Sequence, residues 1–345
     1  MFRHLTKQRF DVIIYTYKQT GNKMTQKEIA KQLNISQATV SMALKGSERI
    51  SPAVREAVQK LASDAGYRPN PAGQMLRLGR SNVIGAVFPS LTNSYYAELF
   101  QELQRGLEPH GYLLYFIPAE THPEAVAAAS SLQSMRVAGV VSLGMFAEQL
   151  LPLRDDGIAL VFYGGEQQIS EQISQVLPDR FGAGRDITDF LIRRGRKHIA
   201  FLGAQGDGEQ RYRGYCAALA AAGMEARPMP VPPACDLLTA GYEGMRQLLL
   251  RYPDTDGVFA HNDDMAIGAL RAAAEAGIRV PESLSLAGFD NITAGRYTSP
   301  ALTSVEQPRS EIARLLVEEL CAVLSDFHHA RFVSVPCSLK IRESA

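Results

Sequence analysis

The chain has 345 residues, 46% of them hydrophobic, which allows two or three domains and a sizeable core. Its formal net charge of zero conceals a split: residues 1–80 hold 14 Lys and Arg against 5 Asp and Glu, and the remainder holds 22 against 31. A basic head on an acidic body directs the attraction for phosphates to one end and keeps nucleic acid off the other. The four cysteines, Cys216, Cys235, Cys321 and Cys337, lie far apart with no CxxC pairing. That argues against a zinc site and fits unpaired thiols in a reducing cytoplasm. No stretch approaches the roughly 20 apolar residues that span a bilayer, and VIIY near the N-terminus is too short for an export signal. These features predict a cytoplasmic protein with no metal site and no cofactor.

The first patterned stretch runs MTQKEIAKQLNISQATVSMALKGSERIS from Met24. Thr25 with Glu28 three residues on reads as a capping box opening a helix. Ala30 and Leu33 supply its inner contacts, with Ile29 between the faces. Asn34 falls where the chain turns, and Asn tolerates a left-handed backbone. Ser36 is the expected N-cap of a second helix in which Val40 and Leu44 face inward. That leaves Gln37, Ala38, Thr39, Ser41 and Met42 on the outer side. Small and amide side chains at the start of an exposed helix suit readout of base edges in a major groove. The alternative is an ordinary helical hairpin with a polar surface. A third helix follows, with Ser51 as cap, Pro52 at its first position, Val54, Val58 and Leu61 at helical spacing, and Gly66 as its stop. Pro69 and Pro71 then interrupt the chain before a short helical run.

Taken together, the three helices, the YxPN junction at Tyr67–Asn70 and the run ending in Leu76 resemble the headpiece and hinge of the lactose/galactose repressor (LacI/GalR) family of bacterial transcription regulators. The resemblance continues through nearly everything after Met24. It implies a headpiece over 24–68, a hinge over 69–80 and an effector-binding and dimerisation core over 81–345. Within that headpiece it directs Gln37, Ala38 and Met42 towards bases and sets Thr39 and Ser41 nearer the backbone. Thr25, Ser36 and Asn70 belong to the same interface, with Lys45, Arg49 and Arg55 as phosphate contacts. Leu76 holds the position that wedges between base steps in the minor groove, against the alternative of a linker leucine packed on its own domain. Met42 stands where members often carry Arg, so the matching operator position is expected not to require G. Residues 1–23 depart from the family pattern. They fit an extra basic helix, an expression artefact or a start called too early, since Met24 sits where members begin.

From Val83 the sequence alternates apolar runs with helical stretches: strands at 83–88, 112–117, 138–143, 158–164, 198–203, 257–262 and 284–290, with helices between them. Such alternation means parallel sheets covered by helices. The expected fold class is an all-α helix-turn-helix headpiece plus an α/β core of two doubly wound parallel-sheet subdomains, like a periplasmic binding protein. The resemblance implies three crossings between subdomains, placed here to give 81–160 with 292–325 and 161–291 with 326–345.

Ligands of open parallel sheets bind outside the carboxyl ends of the strands. Polar residues stand there: Asn93, Tyr95 and Tyr96, then Gly164 and Gly165, Asp179, Arg211, Asn262 and Asp290. The segments HNDDMAIGALRAA, RYRGY and GFDN resemble the family's effector-pocket signatures. Arg211, Asn262 and Asp290 are the expected contacts, with Asp179 behind them, and suit a sugar or another polyhydroxylated ligand. The competing readings are a turn cap for Asp290, a helix cap for Asn262 and a salt bridge to Glu209 for Arg211. Asp236, counted with Tyr95, Tyr96 and Phe289 among the effector contacts, stands where many members carry a stacking aromatic, so one of those three rings could take its place. Arg180 and Arg185 near the pocket strand would favour a phosphate if they were not simply solvated.

Asp263 and Asp264 could be an acid–base pair, with His198 or His261 as base, but adjacent carboxylates at a helix start suit the helix dipole better. No nucleophile elbow, phosphate loop or metal-spaced cluster is present. The sequence therefore predicts no enzyme, but a repressor whose operator affinity is controlled by a small effector, likened to a sugar. The alternative is a periplasmic-type solute-binding protein. A homodimer on near-palindromic DNA is expected, with helix 93–107 at its interface. With KIRESA coming shortly after the last strand, a dimer without an added tetramerisation helix is expected.

Overall fold

In the computed structural model the described residues are 24–44, 46–67, 81–165, 167–206, 208–231 and 236–345. Lys45, Asn70, Leu76, Cys235 and the first 23 residues lie outside them. The helical headpiece belongs to one compact unit and the α/β core to another.

Helix α1 (Gln26–Leu33) opens with the expected capping box. Thr25 Oγ1 accepts from Glu28 N–H (3.3 Å), and the Glu28 carboxylate accepts from Thr25 N–H (2.6 Å). Asn34 ends it at φ 52°, ψ 45°. Ser36 Oγ then accepts from Thr39 N–H (3.0 Å) at the start of α2 (Gln37–Leu44). Pro52 begins α3 (Pro52–Asp64), although the Ser51 hydroxyl makes no cap bond. Ile29 is fully buried with Leu33, Val40, Ala43, Val58 and Leu61, so it is core and not between the faces. Ala43 takes the innermost place expected of Leu44, which is half-buried.

The core has two six-stranded sheets. The first contains β1 (Val83–Phe88), β2 (Leu113–Pro118), β3 (Gly139–Leu143), β4 (Ala159–Tyr163) and β5 (Ser174–Pro178), and late in the chain β11 (Phe332–Val335). Its order is β11-β5-β4-β3-β1-β2, all parallel. The second contains β6 (Ile199–Leu202), β7 (Arg227–Met229), β8 (Gly257–Ala260), β9 (Ser285–Phe289), β10 (Thr303–Glu306) and β12 (Ser338–Lys340), in the order β12-β10-β9-β8-β6-β7. Only β12 runs antiparallel there. Between strands come α4 (Ser94–Leu107), α5 (His122–Ser134), the single turn α6 (Ala147–Leu150), α7 (Arg180–Arg193), α8 (Gln210–Ala221), α9 (Leu237–Arg251), α10 (Asp263–Glu275) and α11 (Arg309–Ser325).

The chain changes sheets three times, but not where expected. The first falls between β5 and β6, not near 160; the other two, between β10 and β11 and between β11 and β12, lie within 290–340 but later than the bounds at 292 and 325. The buried run ALVFY of β4 pairs with β3, Gly139 opposite Ala159, so it extends the first sheet. β10 pairs with β9 in the second. Apolar runs announce a strand but carry nothing about which neighbour it joins. Helix α11 returns to the first lobe, burying Ile312, Leu316 and Leu320 in its core. In the second lobe, Ala200 and Leu202 point to one face of the sheet and Ile199 and Phe201 to the other, the period-2 alternation of a strand covered on both sides.

Candidate functional site

On the headpiece, Ser36, Gln37, Ala38 and Arg49 are exposed, and Thr39 and Met42 are half-buried. The α2 start therefore presents an amide and a methyl to solvent, as base-edge readout needs. Two expected DNA contacts are corrected. Ser41 is buried at 9% exposure, because α2 packs against both α1 and α3 and so buries a broad face. Arg55 is half-buried, and its Nη2 donates to the carbonyls of Ser47 and Ile50 (3.1 Å each). Its Nη2 holds the loop between α2 and α3 and is thereby occupied by protein carbonyls. Thr25 is exposed, with its hydroxyl engaged by the Glu28 carboxylate (2.8 Å).

In the core, the carboxyl ends of both sheets face a polar cavity of about 40 Å³. From the first lobe it receives Asn93, Tyr95 and Tyr96; from the second Arg180, Arg211, His261, Asn262 and Asp290; and from the connection after β10, Gln307. Asn93 and Asn262 both line it and cap helices: Asn93 Oδ1 accepts from Tyr95 N–H (3.0 Å), and Asn262 Oδ1 from Met265 N–H (2.9 Å). Each amide NH₂ remains for another partner. Asn262 is thus the helix cap of one reading, and its place at the cavity is compatible with the other.

Arg211 makes the salt bridge to Glu209 and also lines the cavity. Its Nε and Nη2 donate to the Glu209 carboxylate (2.8 and 3.3 Å), and its Nη1 to the His261 carbonyl (3.0 Å). Burial pushes the Glu209 carboxyl up, but the adjoining Arg211 outweighs it and holds the group well below the usual range. Asp290 adopts φ 107° and is 4% exposed. Its Oδ1 accepts from Gln307 Nε2 (2.5 Å). Burial raises its pKa to about 6, against the opposing pull of Arg211 and the Gln307 bond. His261 is driven down to about 3 by burial and by Arg211, and so is neutral.

Three expected effector contacts are corrected. Phe289 is fully buried, stacked on Phe259 at 6.3 Å. Strand alternation turns its ring into the core, where it supports the Arg211 guanidinium from 5.2 Å. Asp179 is exposed, and its carboxylate accepts from Gly182 N–H (2.8 Å) at the start of α7. The first helical turn brings the next side chain, Arg180, into the cavity instead. Asp236 caps α9, accepting from Thr239 N–H (2.7 Å) and Oγ1 (2.9 Å), and is not among the cavity residues. Arg185, by contrast with Arg180, is exposed beside Asp186.

Sequence reasoning passed over Gln307 and Tyr163 and weighed His261 only as a base. The strand-end rule reaches Gln307 once β10 is recognised, since it follows Glu306 directly. Asp263 and Asp264 are ties, not a catalytic pair. Asp263 accepts from Ile292 N–H (2.8 Å) and Ser304 Oγ (2.6 Å). Asp264 accepts from Ser94 N–H (3.0 Å) and Oγ (2.8 Å) across the cleft. Among the described residues no cluster of His, Cys, Asp and Glu could hold a metal ion, and no helix is long and apolar enough to cross a membrane.

A chain that carries a helix-turn-helix unit and a two-lobed core around a polar interlobe cavity has the parts of a ligand-responsive DNA-binding regulator. Residues 25–70 match the family described as bacterial regulatory proteins, lacI family, and residues 188–345 match a periplasmic binding protein-like domain. The chain is 33% identical over 307 residues to the HTH-type transcriptional regulator CelR of Thermobifida fusca, covering 85% of this chain and 90% of that one. It is 31% identical over 302 residues to the HTH-type transcriptional regulator GntR of Escherichia coli (strain K12), covering 86% and 90%. Among solved structures it resembles a CelR–cellobiose complex with a TM-score of 0.68 at 29% identity, over 93% of this chain and 100% of that one. The Lac repressor dimer bound to operator and the anti-inducer ONPF has the same fold, with a TM-score of 0.77 at 20% identity over 94% and 99%. The chain belongs to the LacI family of DNA-binding transcriptional regulators. It is a regulator and not an enzyme.

Proposed function

We propose that this protein is a cytoplasmic repressor that binds a near-palindromic operator as a homodimer and releases or grips it according to a small polyhydroxylated effector between the lobes. The observation that carries the reading is the interlobe cavity: Asp290, Arg211, Asn262 and His261 converge there from strand ends with bonding capacity to spare. Carboxylate, guanidinium and amide groups of that kind suit ligand hydroxyls. The CelR relative whose complex contains cellobiose supports a sugar or sugar derivative. At about 40 Å³ the cavity holds about three waters, far less than the hundreds of Å³ of an occupied small-molecule site. Ligand entry therefore requires the lobes to part.

On the headpiece, Gln37, Ala38 and Met42 face the bases, with Ser36, Thr39 and Arg49 at the backbone. Lys45, Asn70 and the Leu76 wedge complete the interface from outside the described residues. Effector binding alters the angle between lobes and so the spacing of the paired hinges; a coupling of about 1–3 kcal/mol is enough to switch operator occupancy. The test is selection from a random duplex pool with and without a panel of sugars. One short inverted repeat, enriched and altered by one member of the panel, is the expected result. No enrichment under any condition would overturn the operator reading.

A further inference from the structure

The two arginines of the cavity are held differently. Arg211 has a bidentate carboxylate partner in Glu209. Arg180 has neutral partners: its Nε donates to Gln307 Oε1 (3.0 Å), and its Nη2 to the Tyr163 hydroxyl (3.1 Å). Its guanidinium carbon lies 5.3 Å over the Tyr163 ring. Among the described residues Nη1 donates no hydrogen bond, and no carboxylate forms an ion pair with Arg180. The other cavity acid, Asp290, makes no direct hydrogen bond to it; the Gln307 amide stands between them, its Nε2 spent on Asp290 while Oε1 faces Arg180.

The surrounding hydroxyls are ordered by the same network. Tyr163 donates its one proton to Gln307 Oε1 (3.1 Å), so Tyr95 must donate to Tyr163 (2.7 Å). These groups fix the guanidinium in place, and the Glu209 and Asp290 carboxylates act on it from beyond contact distance. A guanidinium with no carboxylate in contact keeps N–H groups for direct, charge-assisted pairing with a ligand anion. A second unsatisfied group faces the same cavity: His261 Nδ1 is buried and has no hydrogen-bond partner. Both observations leave hydrogen-bonding groups of the cavity open to a ligand.

We infer that Arg180 selects an anionic effector, a polyhydroxylated carboxylic acid or phosphate ester whose acid group pairs with its guanidinium. Asp290, Arg211 and the Asn262 amide take the ligand's hydroxyls, and His261 Nδ1 gains its missing bond. The inference rests on the effector reading of the cavity and narrows it. A planar carboxylate and a phosphate share the recognising chemistry, since either accepts two parallel N–H bonds from one guanidinium.

The test is thermal unfolding and calorimetric titration of the full chain with matched probes: glucose, galactose and cellobiose as neutral sugars, gluconate, galactonate and glucuronate as carboxylates, and glucose 6-phosphate and fructose 6-phosphate as phosphates. One acid is expected to raise the midpoint where its neutral parent does not, and the arm it belongs to names the source. Arg180→Gln should weaken that acid by about tenfold or more, while Arg180→Lys retains part of the affinity, which separates loss of charge from loss of fold. Binding should also weaken as salt rises. A neutral sugar that binds as tightly as its acid overturns the inference and leaves the sugar-effector reading standing. An acid that binds Arg180→Gln as well as the native chain also overturns it, as does the absence of a shift with every acid.

Discussion

Asp290 pairs an unusual backbone with an unusual ionisation, and both can be measured. At φ 107° it lies where few side chains are tolerated, Asn and Asp being among the better suited. Its folded pKa of about 6 exceeds the roughly 3.9 of an unfolded aspartate. Between those values the folded state holds the extra proton, so this group's contribution to stability is complete below about pH 4 and is lost as pH rises through about 6. Asp290→Asn should remove that loss and raise stability at pH 7 by an amount on the order of 2–3 kcal/mol, while weakening the effector. Denaturant unfolding at pH 4, 5 and 7 checks the sign. Burial and the Asp290 charge both push the Asp263 carboxyl up, so removing that charge also relieves Asp263 and acts in the same direction. On the headpiece, exposed Gln37 and exposed Arg49 should separate by kind. Gln37→Ala is expected to cost about 1–3 kcal/mol and to relax discrimination at one base pair. Arg49→Ala should weaken all duplexes alike and reduce the salt slope by about one. Titration of operator and mutated operator over a salt series distinguishes them.

At the scale of elements, α4 is the part that feels both lobes. It carries Tyr95 and Tyr96 into the cavity, its Ser94 bonds Asp264 at the start of α10, and its Glu98 accepts from Thr293 N–H (3.1 Å) and pairs with Arg309 (2.8 Å). Arg309 in turn donates to the carbonyls of Asp290 and Asn291. These bonds hold the lobes closed, so Ser94→Ala and Asp264→Asn should each lower effector affinity. Their effects should be non-additive by about 1–2 kcal/mol, because they break one charge-assisted contact. Additive losses in a double-mutant cycle would count against the tie. Helices α9 and α10 depend on a different feature. At Gly241 and Gly268 a Cβ would fall 2.0 Å from the opposing helix's carbonyl oxygen. Gly268→Ala should therefore force the pair apart and destabilise the second lobe by about 1–3 kcal/mol, read as a lower unfolding midpoint.

Over the whole molecule, charge and apolar surface make separate demands. The excess of basic residues in the first 80 predicts operator affinity that falls steeply with salt, while the acidic remainder limits binding through the core. Leu113 (58% exposed) and Tyr115 (47% exposed) stand on β2, the edge strand of the first sheet, which packs beside α4. An exposed apolar edge of this kind fits the proposed dimer interface. Sedimentation equilibrium should report a dimer. Tyr115→Glu should shift it to monomer and weaken operator binding, since two half-sites need two headpieces; a stable tetramer would sink the dimer reading.

Local signals carried much of this protein. The capping box at Thr25, the left-handed turn at Asn34, the strand–helix alternation and the strand-end positions of Arg211, Asn262 and Asp290 all depend on residues near one another in sequence, so periodicity and cap chemistry reveal them. What the chain could not disclose by itself depends on partners far along it. β4 joins the first sheet because β3 accepts its hydrogen bonds, and β10 joins the second because β9 does. One residue of helical rotation decides between Asp179 and Arg180: the aspartate turns to solvent to cap α7, and the arginine enters the cavity. Ser41 and Phe289 are inside because three helices and a doubly covered sheet close over them. Arg180 draws its significance from its neighbours, for only the tertiary structure places its guanidinium among hydroxyls and an amide with no carboxylate in contact.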